Sequence, residues 1–151
     1  MRSSWLGAGR LELAGTPLTN GDVRLCRAHD TLLGLSCVLK YASADSPAAQ
    51  AVLREGTTLV DLEHPWLAPV LFCFREVEPE LLPSNNTPIA GFAVQWDPAP
   101  PITEVLGEAS PEMRLRALCQ VLAVWDYFLR RDACPPHLHP DTVQTHGAAV
   151  R

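Results

Sequence analysis

Lys40 is the first candidate for a residue with a chemical function. The chain carries 12 Lys and Arg residues, and Lys40 is the single lysine among them. Arginine and lysine are not interchangeable where a compact ammonium on a flexible stem is needed. Because all the remaining basic residues are arginine, the lysine at position 40 indicates a specific role there.

A second group of candidate residues lies near the end of the sequence. Cys134, His137 and His139 are closely spaced, and His146 follows seven residues later. Structural zinc needs four ligands in a tetrahedral arrangement, commonly from two well-separated pairs. Two interpretations stay open: a zinc site, or a loop stiffened by Pro135 and Pro136 whose histidines bind nothing. We predict no metal site.

Composition excludes several classes of protein. The net charge is −5 and the basic residues are scattered, so the electrostatic pattern of a general nucleic-acid binder is missing. The longest nearly apolar run, 66–74, is too short to span a bilayer. Glycines and charged residues within 7–12 interrupt any signal-peptide core. Five cysteines without a C-x-x-C motif predict no disulfide framework, and we expect a cytoplasmic protein.

Apolar patterning predicts the elements that would position these residues. Short apolar segments, with alternation over 22–28, predict strands over 11–14, 22–28, 33–41, 67–74 and 89–96, with a turn-rich stretch at 15–21. Ser followed by Pro predicts helix starts at Ser46 and Ser110, for helices ending near Leu62 and Arg131. The second helix is apolar on more than one side, so other elements should cover it. The proline-rich run 97–101 predicts a linker.

In this order, the elements and their motifs resemble the N-terminal lobe and the first part of the C-terminal lobe of a protein kinase. The matching segments are Val38-Leu39-Lys40, Leu53-Arg54-Glu55, Asp61-Leu62-Glu63-His64-Pro65, Val94-Gln95-Trp96-Asp97, the helix 110–131, and Leu138-His139-Pro140-Asp141-Thr142-Val143. The resemblance implies that Lys40 on the third kinase strand pairs with Glu55 on the following helix and contacts nucleotide phosphates. A structural pair between strand and helix remains the alternative.

Departures from the kinase pattern concern the residues that perform phosphoryl transfer. The glycine-rich loop aligns with 16–23, where Gly21 and Val23 alone match. His137 stands in place of the catalytic-loop aspartate and Thr142 in place of the magnesium-binding asparagine. The sequence ends at Arg151 without a D-F-G segment. Because the transfer depends on metal ligands and a carboxylate, the resemblance predicts a truncated pseudokinase and no catalytic residues.

The resulting expectation is an α+β fold: a five-stranded antiparallel sheet with one helix, then a proline hinge and a long helix. The expected boundaries are a kinase N-lobe-like region at 1–96, a hinge and linker at 97–109, and a partial C-lobe at 110–151. An unrelated small α+β domain remains a rival, and it would show a sheet order incompatible with a kinase lobe.

The function expected from this resemblance is that of a regulatory scaffold without catalysis. Protein partners, or a second copy, would dock on the helix 110–131 through Leu122, Trp125 and Leu129. The alternative is a nucleotide-binding regulator, or a degenerate phosphotransferase, that binds ATP through Lys40, Glu55 and Gly21. We expect no nucleic-acid or membrane partner and no obligatory cofactor.

Overall fold

The computed structural model of the chain describes residues 4–6, 10–77, 88–96, 102–133, 145–146 and 149–150. The strands are β1 (Ser4–Leu6), β2 (Leu11–Asn20), β3 (Val23–Asp30), β4 (Leu35–Ser43), β5 (Val70–Val77), β6 (Pro88–Gln95), β7 (Thr145–His146) and β8 (Ala149–Val150). The helices are α1 (Pro47–Val60), α2 (Ile102–Glu108) and α3 (Pro111–Arg130). The chain divides into two compact units, one formed by 1–62 with 69–96 and the other by 63–68 with 97–151.

The first unit is built on one antiparallel sheet with the strand order β1-β2-β3-β4-β6-β5. Its five long strands and the packed helix α1 confirm the predicted five-stranded architecture. The difference is β1, a three-residue strand that pairs with β2 and adds a sixth strand at the edge. No pattern of alternation could reveal so short a segment.

The predicted turn-rich stretch at 15–21 is wrong for most of its length, because β2 continues to Asn20. The pairing with β3 shifts between Ala14 and Leu18, and Gly15 within this irregularity has φ +92°. A β-bulge therefore accommodates the Gly and Pro that suggested a turn. The turn itself is short: Asn20 pairs with Val23, and Gly21 has φ +58° at the first central position, as type II′ turns require.

The sheet is strongly curled. Arg10 directly precedes β2, and its guanidinium carbon lies 4.2 Å from the centroid of the Phe72 ring on β5. Three strands separate β2 from β5 in the sheet, so this contact requires the two sides to bend toward each other. The inner surface forms the main apolar core, which contains Leu11, Leu13, Cys26, Ala28, Cys37, Leu39, Tyr41, Ile89 and Ala93.

Helix α1 covers the opposite surface of the sheet. Ser46 caps its first turn by accepting a 3.1 Å hydrogen bond from the Ala49 N–H, and Pro47 begins the helix as the sequence predicts. Small residues pack between helix and sheet, namely Ala42, Ala44, Ala49 and Ala90. This alanine contact lets the helix axis come close to the strands.

The second unit contains α2 and α3. Residues 102–108 form α2, where the sequence predicted only hinge and linker. Ile102 of α2 and Ala117 of α3 are buried against each other, flanked by Leu106 and Val121. Seven residues after a proline-rich run give too little periodicity to predict such a helix.

Residues 63–68 belong to the second unit as well. The Glu63 N–H donates a 3.1 Å hydrogen bond to the Tyr127 hydroxyl on α3, and the His64 ring lies 4.9 Å from the Tyr127 ring. The Arg131 guanidinium carbon lies over the Tyr127 ring, 4.8 Å from the ring centroid. The His-Pro segment of the sequence thus packs on α3.

Helix α3 confirms the predicted helix over 110–131 to within one residue at each end. Its side chains Ala117, Val124 and Phe128 are buried. None of the described helices is long and apolar enough to cross a membrane.

Candidate functional site

Lys40 and Glu55 form a close ion pair between β4 and α1. The Lys40 ammonium donates hydrogen bonds to both Glu55 carboxylate oxygens, at 2.8 Å to Oε1 and 2.7 Å to Oε2. The two side chains are 23% and 26% exposed, so the pair is partly shielded from water. Shielding of this degree makes the attraction stronger than between fully exposed charges.

Gly56 explains how α1 comes near enough for this pair. Phe92 on β6 is the cross-strand neighbour of Lys40, and Gly56 is buried directly over Phe92. A Cβ on Gly56 would lie only 2.8–2.9 Å from three Phe92 side-chain carbons. The missing side chain thus lets the helix approach the sheet at the point where Glu55 meets Lys40.

Strand pairing places an apolar row beside Lys40. Leu18 on β2 pairs with Leu25 on β3, which pairs with Lys40 on β4, which pairs with Phe92 on β6. Gly21 lies outside this row, in the β2–β3 turn beyond Val23. The structure therefore brings Lys40 and Glu55 together but does not place Gly21 beside them.

A guanidinium–indole contact lies on the same surface of the sheet, and the sequence analysis did not predict it. The Arg27 guanidinium carbon is 4.5 Å from the centroid of a Trp96 ring. Arg27 pairs with Val38, two residues from Lys40, and the Trp96 N–H donates to the Ser36 carbonyl at 2.9 Å. Alternation along β3 places Leu25 and Arg27 on one side, but only the strand register shows that Trp96 reaches the same place.

A buried carboxylate at the other end of the sheet was also missed. Asp30 is fully buried and accepts hydrogen bonds from Arg10 Nε at 2.8 Å and from the backbone N–H groups of Leu32 and Leu33 at 3.0 Å. Burial by itself raises its pKa, but these hydrogen bonds and the Arg10 charge outweigh it, so the pKa of Asp30 lies below its ordinary value. Asp30 closes the β3–β4 turn and anchors Arg10, so its role is structural.

Five apolar side chains on α3 form a stripe, hereafter the α3 stripe. Its members and their exposed fractions are Leu115 (61%), Leu118 (54%), Leu122 (57%), Trp125 (41%) and Leu129 (61%). They follow one another at steps of three and four residues, which places them on one side of a helix. The three interface candidates Leu122, Trp125 and Leu129 therefore lie on the exposed side of the helix. The sequence could not distinguish core from surface there, because both sides of α3 are apolar.

Among the described cysteines, Cys26 and Cys37 are buried free thiols, while Cys73 and Cys119 are exposed free thiols. Burial raises the pKa of Cys37 to about 11, and the nearby Asp30 charge contributes. Burial also raises the pKa of Cys26. Both buried thiols therefore behave as small apolar core residues.

Comparisons with known proteins bear on the fold. No family model and no curated protein matches the chain. The chain superimposes on the crystal structure of Rad53 1–466 in complex with AMP-PNP with a TM-score of 0.71 and 13% sequence identity. The match covers 95% of this chain and 38% of that chain, so this chain corresponds to less than half of its length. The chain has a protein kinase-like fold.

In this kinase-like fold, the ion pair that the resemblance implied for Lys40 and Glu55 is present. The predicted strand and helix that carry the two residues correspond to β4 and α1. The aligned glycine-rich loop is part of the β2–β3 hairpin, in which the Leu18 side chain is 73% exposed.

The remaining candidates from the kinase-like pattern and from the zinc interpretation lie outside the residues that the structure fully describes. These are Cys134, His137, His139 and Thr142, and of His146 only the backbone of β7 is described. The described part of the chain holds no group of three or more His, Cys, Asp or Glu side chains that could bind a metal ion. The prediction that His137 and Thr142 replace catalytic-loop residues stays a prediction.

Proposed function

We propose that this chain is a non-catalytic kinase-like module, a pseudokinase, that acts as a regulatory scaffold by binding a protein partner or a second copy through the α3 stripe. The exposed stripe is the observation that carries the proposal. Leucine and tryptophan at these positions give a continuous apolar surface without a charged member. Exposed apolar surfaces of this kind mark interaction sites more often than isolated exposed leucines do.

The spacing of the stripe indicates what kind of surface would fit it. Residues at steps of three and four correspond to the a and d positions of a heptad, the pattern with which one helix packs along another. The favoured partner surface is therefore an apolar helix face, in this chain or in a different protein. We propose neither a nucleic-acid nor a membrane partner, and we keep a cytoplasmic location as part of the proposal.

Substitutions at Leu122 and Leu32 test the surface with a matched control. Leu122→Asp places a charge in the stripe, whereas Leu32→Asp changes an equally apolar residue in the β3–β4 turn that is 75% exposed. Burying a leucine contributes about 1.5–3 kcal/mol, so Leu122→Asp should weaken association about 10- to 150-fold. Because both leucines are exposed, neither variant should lower the unfolding temperature by more than a few degrees.

Sedimentation velocity of the full chain measures self-association, and photocrosslinking from a benzoylphenylalanine at position 122 or 32 measures contact with another protein. We expect concentration-dependent assembly, or one defined crosslinked species from position 122, and loss of either in a second stripe variant, Trp125→Asp. The proposal is contradicted if the chain sediments as a monomer and the crosslinked species from position 122 are the same as those from position 32.

The absence of catalysis has a separate support and a separate test. It rests on the sequence departures at His137 and Thr142 and on the non-glycine residues of the β2–β3 hairpin. With radiolabelled ATP, magnesium and a general protein substrate, we expect no phosphate incorporation above the blank. Incorporation that Lys40→Ala abolishes would show a phosphotransferase.

The Lys40–Glu55 ion pair favours a second candidate function, that of a nucleotide-binding regulator. An ammonium held by a carboxylate can contact a nucleotide phosphate, which is the fit that ATP requires at this position. The β2–β3 hairpin fits less well, since the residues aligned with the first two glycines carry side chains. Calorimetry with ADP, with and without magnesium, tests this candidate: saturable binding that Lys40→Ala removes would support it, and no heat at millimolar nucleotide would contradict it.

A further inference from the structure

The Arg27–Trp96 contact connects two strands that are not neighbours. Arg27 lies on β3, Trp96 directly follows β6, and β4 separates the two strands in the sheet. Adjacent strands are about 4.8 Å apart, so β3 and β6 are about 10 Å apart. Side chains that meet with 4.5 Å between guanidinium carbon and ring centroid must therefore reach toward each other across β4.

The register fixes which part of β4 they cross. Arg27 pairs with Val38, and the Trp96 backbone is hydrogen-bonded to Ser36. Residues two apart on a strand share a side, so Ser36, Val38 and Lys40 all face the same surface. The Arg27–Trp96 contact consequently covers Ser36 and Val38 on the surface that carries the Lys40 ammonium.

A planar ligand bound at Lys40 would need this covered surface. A phosphate held by Lys40 leaves the attached sugar and base to extend along the sheet. Val38 lies about 7 Å along the strand from Lys40 and, with its neighbour Val94 on β6, is half-buried and apolar. These two valines, hereafter the Val38–Val94 platform, form an apolar patch on the Lys40 side of β4. The phosphate end of a nucleotide thus fits the residues present, whereas its ring end would meet the chain's own guanidinium and indole, which cross β4 at Val38 beside Val94.

We propose that the Arg27–Trp96 contact is a self-occluding cover over the Val38–Val94 platform, which must open before a nucleotide binds at Lys40. This inference concerns the second candidate function and is independent of the α3 stripe, so either can fail alone. The apparent affinity for a nucleotide equals the affinity of the open form multiplied by the fraction of molecules in which the cover is open. For a cation–π contact at an exposed arginine, the apparent affinity should be reduced about two- to fivefold.

Calorimetry of the full chain with ADP and with uncharged adenosine tests the cover. Arg27→Ala removes a positive charge, which by itself would weaken ADP binding. Tighter binding in this variant can therefore come only from uncovering the platform. We expect Arg27→Ala to bind adenosine about two- to fivefold more tightly than the wild type, and ADP more tightly by a smaller factor because the lost charge opposes the gain. Arg116→Ala, which removes an exposed arginine on α3, should leave adenosine affinity unchanged.

Equal or weaker affinity for adenosine in Arg27→Ala, including no binding by either protein, would overturn the proposal. A second measurement does not depend on affinity. Ring currents of Trp96 should shift the Arg27 side-chain protons upfield in the NMR spectrum of the free chain, and Trp96→Leu should abolish this shift. Arg27 protons at ordinary frequencies in the free chain would show that the cover does not form in solution.

Discussion

Replacing Gly56 in helix α1 by alanine should destabilise the protein. In an exposed helix interior this change ordinarily stabilises by about 1 kcal/mol, because alanine has the higher helix propensity. Here a Cβ would lie 2.8 Å from Phe92 Cδ1 and 2.9 Å from both Phe92 Cβ and Cγ. Phe92 Cβ and Cγ cannot move away without shifting β6, so either α1 or the strand must yield.

The size of the effect follows from two opposing contributions. Overpacking of a well-filled core costs about 1–3 kcal/mol, and three contacts below 3.0 Å favour the upper half of that range. Subtracting the helix-propensity gain of about 1 kcal/mol leaves a net loss of about 1–2 kcal/mol. For a chain of this size, the unfolding temperature should fall by about 2–8 °C.

Urea denaturation followed by circular dichroism measures the change, and Gly107→Ala provides the matched control. Gly107 lies in α2 with nothing within 4 Å of an added Cβ, so its replacement should leave stability unchanged or raise it by up to about 1 kcal/mol. A Gly56→Ala variant as stable as Gly107→Ala would refute the close approach of α1 to β6 and, with it, our account of how Glu55 reaches Lys40.

Three further predictions test the rest of the fold. The lowered pKa of Asp30 stabilises the folded chain above the carboxyl's ordinary pKa of 3.8, and this stability is lost as the pH falls through the lower folded value; urea midpoints between pH 3 and 6 should therefore depend less on pH in Asp30→Asn, and identical slopes would contradict this. Iodoacetamide at pH 8 should label Cys119 rapidly but Cys37, with its pKa of about 11, only after unfolding; equal labelling rates in peptide mass spectra would contradict the burial of Cys37. Tyr127→Phe removes the acceptor of the Glu63 N–H and should cost about 1 kcal/mol; the Glu63 amide should then exchange hydrogen faster, and unchanged exchange would place its hydrogen bond elsewhere.

Sequence reasoning located the features that depend on local signals. A Ser-Pro pair begins each of the two long helices, and the structure places Ser46 and Ser110 as their N-caps. The lysine motif placed Lys40 on a strand, and the helix prediction placed Glu55 where it meets that lysine. In each case a few adjacent residues carry the information.

The features that the sequence did not reveal depend on strand register or on curvature. Arg27 and Trp96 are 69 positions apart, and nothing local to either residue indicates that β3 and β6 flank the same strand. The Arg10–Phe72 contact likewise exists only because the sheet curls. At 15–20, glycine and proline suggested a turn where β2 continues, since a bulge can satisfy the same conformational demands.

The Lys40–Glu55 ion pair has a structural explanation that requires no ligand. Its presence is therefore limited evidence for nucleotide binding. Both carboxylate oxygens of Glu55 accept hydrogen bonds from the one ammonium, which commits two of its three N–H donors to Glu55. The pair joins α1 to β4 beside Gly56, where the helix lies close to the sheet. Removing one partner would leave a partly buried charge without its counter-ion, which is unfavourable whether or not a phosphate binds. The ion pair that favours nucleotide binding thus also stabilises the fold, and the state of the Val38–Val94 platform is the more discriminating evidence for or against a nucleotide.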